Sequence, residues 1–261
     1  MIEINLKPVT ADSSPLPQPR RVHLETWGCQ MNVADSERML ALLAAQNYQV
    51  THEGPESADL ILLNTCHIRE KARHKVVSRL GVLRHLKEKN PKLRIAVTGC
   101  VAQAEGKKLL AEAPFVDLVM GPGKIDDLPE LLADMDKAGG TQTCAVGFAR
   151  PGEEKRSPAV GLGGLTSPVS GKNEITRYVN IAQGCNNFCT FCVVPFTRGR
   201  EVSRRCEDIL TEVRGYLESG AKEIMLLGQN VNSYGHDLVE QGFIPATDSG
   251  AFVDLLALIA D

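Results

Sequence analysis

Between residues 22 and 137 the chain alternates short apolar runs with longer helical stretches, and this alternation constrains the fold more than any other feature. Residues 22–27, 59–64, 94–98 and 116–120 read as strands. Residues 36–46, 70–89, 105–113 and 125–137 read as helices, with Asp35 a plausible N-cap for the first. The run 59–64 (DLILLN) is apolar almost throughout, the signature of a strand covered on both faces. In the helix 70–89, Val76, Leu80 and Leu83 recur at i, i+4 and i+7, so one stripe faces a core. Strand–helix alternation of this kind predicts an α/β domain with a doubly wound parallel sheet.

Residues 139–173 break the pattern. They are rich in Gly, Pro and Ser (GLGGLTSPVSG) and read as a linker, with a short strand near Cys144. Alternation resumes with a strand at 176–182, a helix at 207–218 stopped by Gly220, a strand at 223–227 and a helix at 252–261. Two β/α units cannot close a barrel, so the chain is expected to be a fragment, inactive by itself. Residues 1–20 carry Pro8, Pro15, Pro17 and Pro19 with no apolar core. They read as a disordered leader, not a signal peptide. The expected divisions are therefore 1–20, 21–138, 139–173 and 174–261.

Eight cysteines in 261 residues then ask for an explanation. No apolar run approaches the roughly 20 residues of a membrane helix, so a cytoplasmic location is expected. That compartment disfavours disulfides, and metal or redox chemistry becomes the better reading of the thiols. Cys185-x3-Cys189-x2-Cys192 follows a strand, at the carboxyl edge where α/β sheets bind ligands. Three thiolates within one short loop can hold three irons of a cubane and leave the fourth open. A zinc knuckle or a redox CxxC at Cys189 and Cys192 is the alternative, although no fourth ligand lies between residues 173 and 201 apart from these cysteines. Cys29, Cys66 and Cys100 each lie just past a strand, at intervals of 37 and 34 residues, about one β/α unit apiece. That period brings three thiols to one sheet edge, where they form a second three-ligand site unless each is a separate buried cysteine. Cys144 and Cys206 fit neither set. Gly121-Pro-Gly-Lys124 lacks the P-loop frame, and the glycines at 161–164 join no strand to a helix.

The formal net charge of -3 advertises no nucleic-acid binding. Arg198, Arg200, Arg204 and Arg205 form the one local basic cluster noted.

The segment GCNNFCTFC resembles the radical S-adenosylmethionine (SAM) superfamily. GCQMNVADSERM, NTCHIREKA and TGC resemble the N-terminal domain of its methylthiotransferases, and CTFCVVPFTRGREVSR with LLGQNVNSYG is similar to those acting on tRNA. The likeness runs from about residue 22 to 261. Phe196 stands where a Tyr is usual, and His67 and Thr98 replace smaller residues. The resemblance implies a start of a partial (β/α) barrel after the N-terminal domain, with the remaining barrel and an RNA-binding domain lacking. It implies an enzyme adding a methylthio group to C2 of N(6)-dimethylallyladenosine at position 37 of tRNA. Two [4Fe-4S] clusters would be held by Cys185, Cys189 and Cys192 and by Cys29, Cys66 and Cys100. SAM would lie near the Phe191 backbone and near Gly228, Gln229 and Asn230. Arg198, Arg200 and Arg204 would contact substrate phosphates, or else balance cluster charge. An unidentified electron donor, a monomeric state and no membrane association complete the expectation. A ribosomal-protein aspartate or a threonylcarbamoyl-adenosine tRNA is the alternative substrate. A non-catalytic iron–sulfur carrier or electron-transfer protein and a zinc module are the alternatives in kind.

Overall fold

The computed structural model describes residues 18–67, 70–139, 141–148 and 175–260. The expected leader (apart from residues 18–20) and most of the expected linker lie outside them.

The N-terminal unit is a six-stranded, wholly parallel sheet. Its strands are β1 (Arg20–Trp27), β2 (Tyr48–Val50), β3 (Leu60–Thr65), β4 (Arg94–Gly99), β5 (Leu118–Met120) and β6 (Thr143–Ala145). They lie in the order β2-β1-β3-β4-β5-β6. Helices α1 (Gln30–Ala44) and α5 (Leu128–Lys137) cover one face; α2 (Glu70–Lys89), α3 (Cys100–Glu105) and α4 (Lys107–Glu112) cover the other. The pleat explains how an unbroken apolar strand is used on both sides. In β3, Leu60 and Leu62 join the core under α1 and α5, while Ile61 and Leu63 join the core under α2 to α4.

This order reverses direction between β1 and β3: the chain runs outward to β2 on one side and to β4 on the other. In open α/β sheets such a switch point opens a crevice at the carboxyl ends of the strands. Cys29 and Cys66 flank it, and Cys100 stands one strand further along.

Three local expectations change. The first helix begins at Gln30 with Cys29 at its N-cap, so Asp35 lies inside α1 and caps nothing. The helix expected at 105–113 is the shorter α4, and a helix that was not expected, α3, precedes it; Gly106, whose positive φ no continuous helix allows, parts the two. The strand near Cys144 exists, but it pairs with β5, which carries the N-terminal sheet past the expected boundary at 138.

The C-terminal unit pairs β7 (Thr176–Asn180) in parallel with β10 (Glu223–Leu227) through the crossover helix α7 (Cys206–Glu218). Val179, Ile209, Val213, Tyr216 and Leu255 form its core. Gly220 follows α7 with φ near 101°, the conformation of a helix stop. Between β7 and α7 the chain makes an excursion closed at its base by two short antiparallel strands. Here β8 (Ala182–Gln183) pairs with β9 (Val202–Ser203), Ala182 facing Ser203. The CxxxCxxC segment and the short helix α6 (Val194–Thr197) occupy this closed loop. After β10 come two further helices, α8 (His236–Glu240) and α9 (Ala251–Ala260).

Candidate iron–sulfur and cofactor site

Cys29, Cys66 and Cys100 share one cleft of about 260 Å³. Its other wall is the C-terminal unit: Val193, Val194, Thr197 and Arg198 from α6 and its flanks, and Leu227, Gly228 and Gln229 from the end of β10. The three thiols that sequence periodicity places at one sheet edge do meet there, and the second unit forms the facing wall of their cleft. Among the described residues no three His, Cys, Asp or Glu side chains close to single-ion distance. An all-thiolate set lining one cleft is the donor chemistry that suits soft metals such as iron in a sulfide cluster.

Each thiol is placed by its backbone. The Cys66 amide donates to the Trp27 carbonyl at 2.9 Å, locking the end of β3 to the end of β1. Gly99 precedes Cys100 with φ near 89°, and a Cβ there would overlap the carbonyl oxygen of Thr65. Only glycine lets β4 approach β3 this closely and then turn into α3. Beneath the thiols lies a polar network, buried except at Thr26. The Asn64 amide donates to the Asn32 carbonyl (2.8 Å) and to Ser36 Oγ (2.9 Å). Asn32 returns a bond to Asn64 Oδ1 at 3.1 Å, and Thr26 and Ser36 share a hydroxyl contact of 2.7 Å. Sequence reading did not single out these residues. Their only signal is an asparagine closing an otherwise apolar strand.

The electrostatics favour thiolates. Hydrogen bonding to Cys66 pulls the Cys29 thiol down to about 5 against the opposing effect of burial, helped by the Asn32 and Met31 amides at the start of α1 and by the Arg198 charge. Cys100 falls to about 6, again first through Cys66 and then through Arg198. Burial instead raises Cys144 and Cys206, which behave as ordinary structural thiols. Cys29 and Cys100 are thereby set apart from Cys144 and Cys206.

The second trio is a loop site. Cys185 is buried, Cys192 half-buried and Cys189 exposed. Gly184, at φ near 83°, packs under the Arg200 carbonyl, where a Cβ would overlap. The Cys185 amide donates to Gly199 O at 3.1 Å, Asn187 N–H approaches Cys185 Sγ at 3.5 Å, and Cys192 N–H donates to Cys189 O at 2.9 Å. Phe191 is 95% exposed. Gln229 accepts a hydrogen bond from Gly184 N–H, which ties the loop after β10 to the start of the cysteine loop. Asn230 follows as the N-cap of a short 3-10 turn.

The arginines need correction. Arg198 is 4% exposed and its Nη2 donates to Asp35 Oδ2 at 2.7 Å. Burial opposes its charge, but Asp35, Cys100 and Cys29 outweigh that and hold it protonated. Arg204 is buried too, bound to Glu212 at 2.6 Å and to the Asn180 carbonyl at 2.8 Å. Neither guanidinium can reach an outside phosphate, because internal carboxylates already claim both. Arg200 is exposed, its guanidinium 5.3 Å from the Phe188 ring centroid, and Arg205 is exposed over Phe243.

Residues 21–121 match the model of the uncharacterized protein family UPF0004, and residues 179–248 match that of the radical SAM superfamily. Over 92% of its length the chain is 46% identical to a protein of Yersinia enterocolitica named tRNA-2-methylthio-N(6)-dimethylallyladenosine synthase. A protein of the same name from Paraburkholderia phymatum is 41% identical over 93% of the chain. The chain spans 47% and 50% of these two relatives, about half the length of each. A solved structure of the radical SAM methyltransferase TsrM from Kitasatospora setae, bound to tryptophan and a SAM analogue, superposes with a TM-score of 0.56 at 14% identity. It covers 92% of this chain and 57% of that one, a likeness of fold.

Proposed function

We propose, from the premise that this chain joins a UPF0004 segment to a radical SAM superfamily segment, that it is the front part of a tRNA methylthiotransferase. The reaction is addition of a methylthio group to C2 of N(6)-dimethylallyladenosine at position 37 of tRNA. One observation carries this reading: the thiols of Cys29, Cys66 and Cys100 line a cleft whose opposite wall follows directly on the CxxxCxxC loop. A reaction that joins a sulfur group to a carbon activated elsewhere needs its two cofactor sites face to face.

Cys185, Cys189 and Cys192 would hold one [4Fe-4S] cluster, and Cys29, Cys66 and Cys100 a second. When bound, these clusters and S-adenosylmethionine supply the one-electron and sulfur-transfer chemistry that an unactivated aromatic C–H bond demands and no side chain can provide. The chain's own residues bind and orient. Gly228, Gln229 and Asn230 would help hold SAM, with Gln229 fixed by its bond from Gly184. The Phe191 backbone would lie beside the SAM adenine. Arg200 and Arg205 are left as the exposed guanidinium groups of the cluster for tRNA phosphates.

No helix among the described residues is long and apolar enough to cross a membrane. A cytoplasmic location, a monomeric state and a separate electron donor are part of the proposal. Mass spectrometry of tRNA from a strain lacking the gene tests the reading. The 2-methylthio nucleoside is expected to vanish while its dimethylallyl precursor accumulates; an unchanged pool removes this substrate.

A further inference from the structure

We propose that Arg198 is a positioning residue of the N-terminal thiol site: its buried Nη1 donates to the anionic group held by Cys29, Cys66 and Cys100, and its charge sets that group's reduction potential. The inference rests on reading that trio as iron–sulfur ligands.

Three observations point there. First, Arg198 carries the one formally charged side chain, thiols aside, among the residues lining the cleft. Second, its fork is only half used. Nη2 is committed to Asp35, while Nη1 is buried and makes no hydrogen bond within normal geometry. Besides Asp35 the guanidinium leans on the Cys100 thiol, which Cys66 first and then the Arg198 charge and hydrogen bonding hold low; a sulfur-rich anion in the cleft is the acceptor that would complete the fork. Third, Arg198 does not belong to the thiol domain. It ends α6, six residues after Cys192, and crosses to α1 by a contact that spans 163 residues. The ion pair with Asp35 is almost wholly buried, with side-chain exposures of 4% and 5%. One side chain therefore joins the two units and places a positive charge at the first trio from the segment that follows the second. Lysine would keep the charge but lose the rigid fork that serves Asp35 and the cleft together.

The sign of the effect follows from charge. Adding an electron to a group beside a buried cation is favoured, so removing the cation lowers its potential. Removing the cation's counter-anion, Asp35, leaves more positive charge at the site and raises it. A purely structural latch would move neither potential in opposed directions.

The test is EPR-monitored potentiometry on full-length reconstituted enzyme, with a parallel set lacking Cys185, Cys189 and Cys192 so that the N-terminal centre titrates alone. Arg198→Gln is expected to shift the one-electron reduction equilibrium about tenfold toward the oxidised form, about 59 mV lower. Asp35→Asn is expected to shift it the other way, and Arg198→Lys to lie near wild type in potential. Iron-loaded variants with unchanged potentials, or shifts of the same sign in Arg198→Gln and Asp35→Asn, overturn the inference. If Arg198→Gln binds no iron, Asp35→Asn is compared with wild type and with the charge-conserving Arg198→Lys; a potential for Asp35→Asn at or below those two overturns it. Absence of iron from the wild-type N-terminal site would instead sink the cluster reading itself.

Discussion

Cys29, Cys66 and Cys100 come from three neighbouring strands and meet only because the sheet places β1, β3 and β4 side by side, whereas Cys185, Cys189 and Cys192 share one loop of eight residues. The first set stands on buried backbone, a polar network and two helix starts. The second set hangs from a few main-chain bonds and a glycine tucked under Arg200, with Cys189 exposed. The difference is one of preorganisation. A sheet edge fixes its ligands before anything binds, because moving one thiol means moving a strand. A loop can wrap its ligand but has little to hold it in shape beforehand.

The largest expected effect tests whether the two sets are separate sites. Alanine at Cys29, Cys66 and Cys100 together is expected to remove about half of the iron and acid-labile sulfide of the reconstituted protein while SAM cleavage persists. Alanine at Cys185, Cys189 and Cys192 removes the other half and abolishes that cleavage. Loss of all iron from either triple variant would merge the two sites into one.

Next in size is the junction. Asp35→Ala leaves Arg198 buried without its carboxylate and is expected to cost about 3–5 kcal/mol, read as a lower urea midpoint for unfolding of the apo-protein. Gly99→Ala sharpens the claim of a rigid edge: forcing a side chain into that positive-φ turn costs about 1–3 kcal/mol. It should deplete iron at the N-terminal site alone. The matching change in the loop, Gly184→Ala, should deplete the C-terminal site alone.

The smallest effect is a pH dependence in the apo-protein. Cys29 and Cys100, held down to about 5 and 6 by Cys66, are thiolates at pH 7. Iodoacetamide should label the half-exposed Cys29 there, and the buried Cys100 more slowly, with labelling falling as pH drops through those values. Cys144 and Cys206, raised by burial, should label only in alkaline solution. The depressed thiols also contribute stability that is fully present above the unfolded thiol value, about 8.5. It declines as pH falls and is lost on passing through about 5 to 6. Peptide mapping across pH 4–9 checks the labelling order. Equal labelling of all four would erase the electrostatic contrast.

Much of the fold is legible along the chain because its determinants are local. The run DLILLN announces a doubly covered strand by composition, and β10 and α2 fall where their patterns place them. The start of α1 is not legible. Its first turn, QMNV, shows no helical stripe and is held by Cys29 and by buried contacts of Met31 and Asn32 with distant residues. For the same reason Asp35 looks like a cap from its neighbours alone, whereas its partner is Arg198, far along the chain.

By itself the sequence determined the two cysteine spacings, the β/α period that carries one of them, and the parallel sheet that such a period requires. Only the tertiary structure decided that the thiol edge faces α6 and the end of β10, that Arg198 and Arg204 turn inward to Asp35 and Glu212, and that Asn32 and Asn64 support the floor of the site. Periodicity reports which way a residue points from its own element. Which charge it meets depends on packing between elements far apart in the chain, where no local pattern is written.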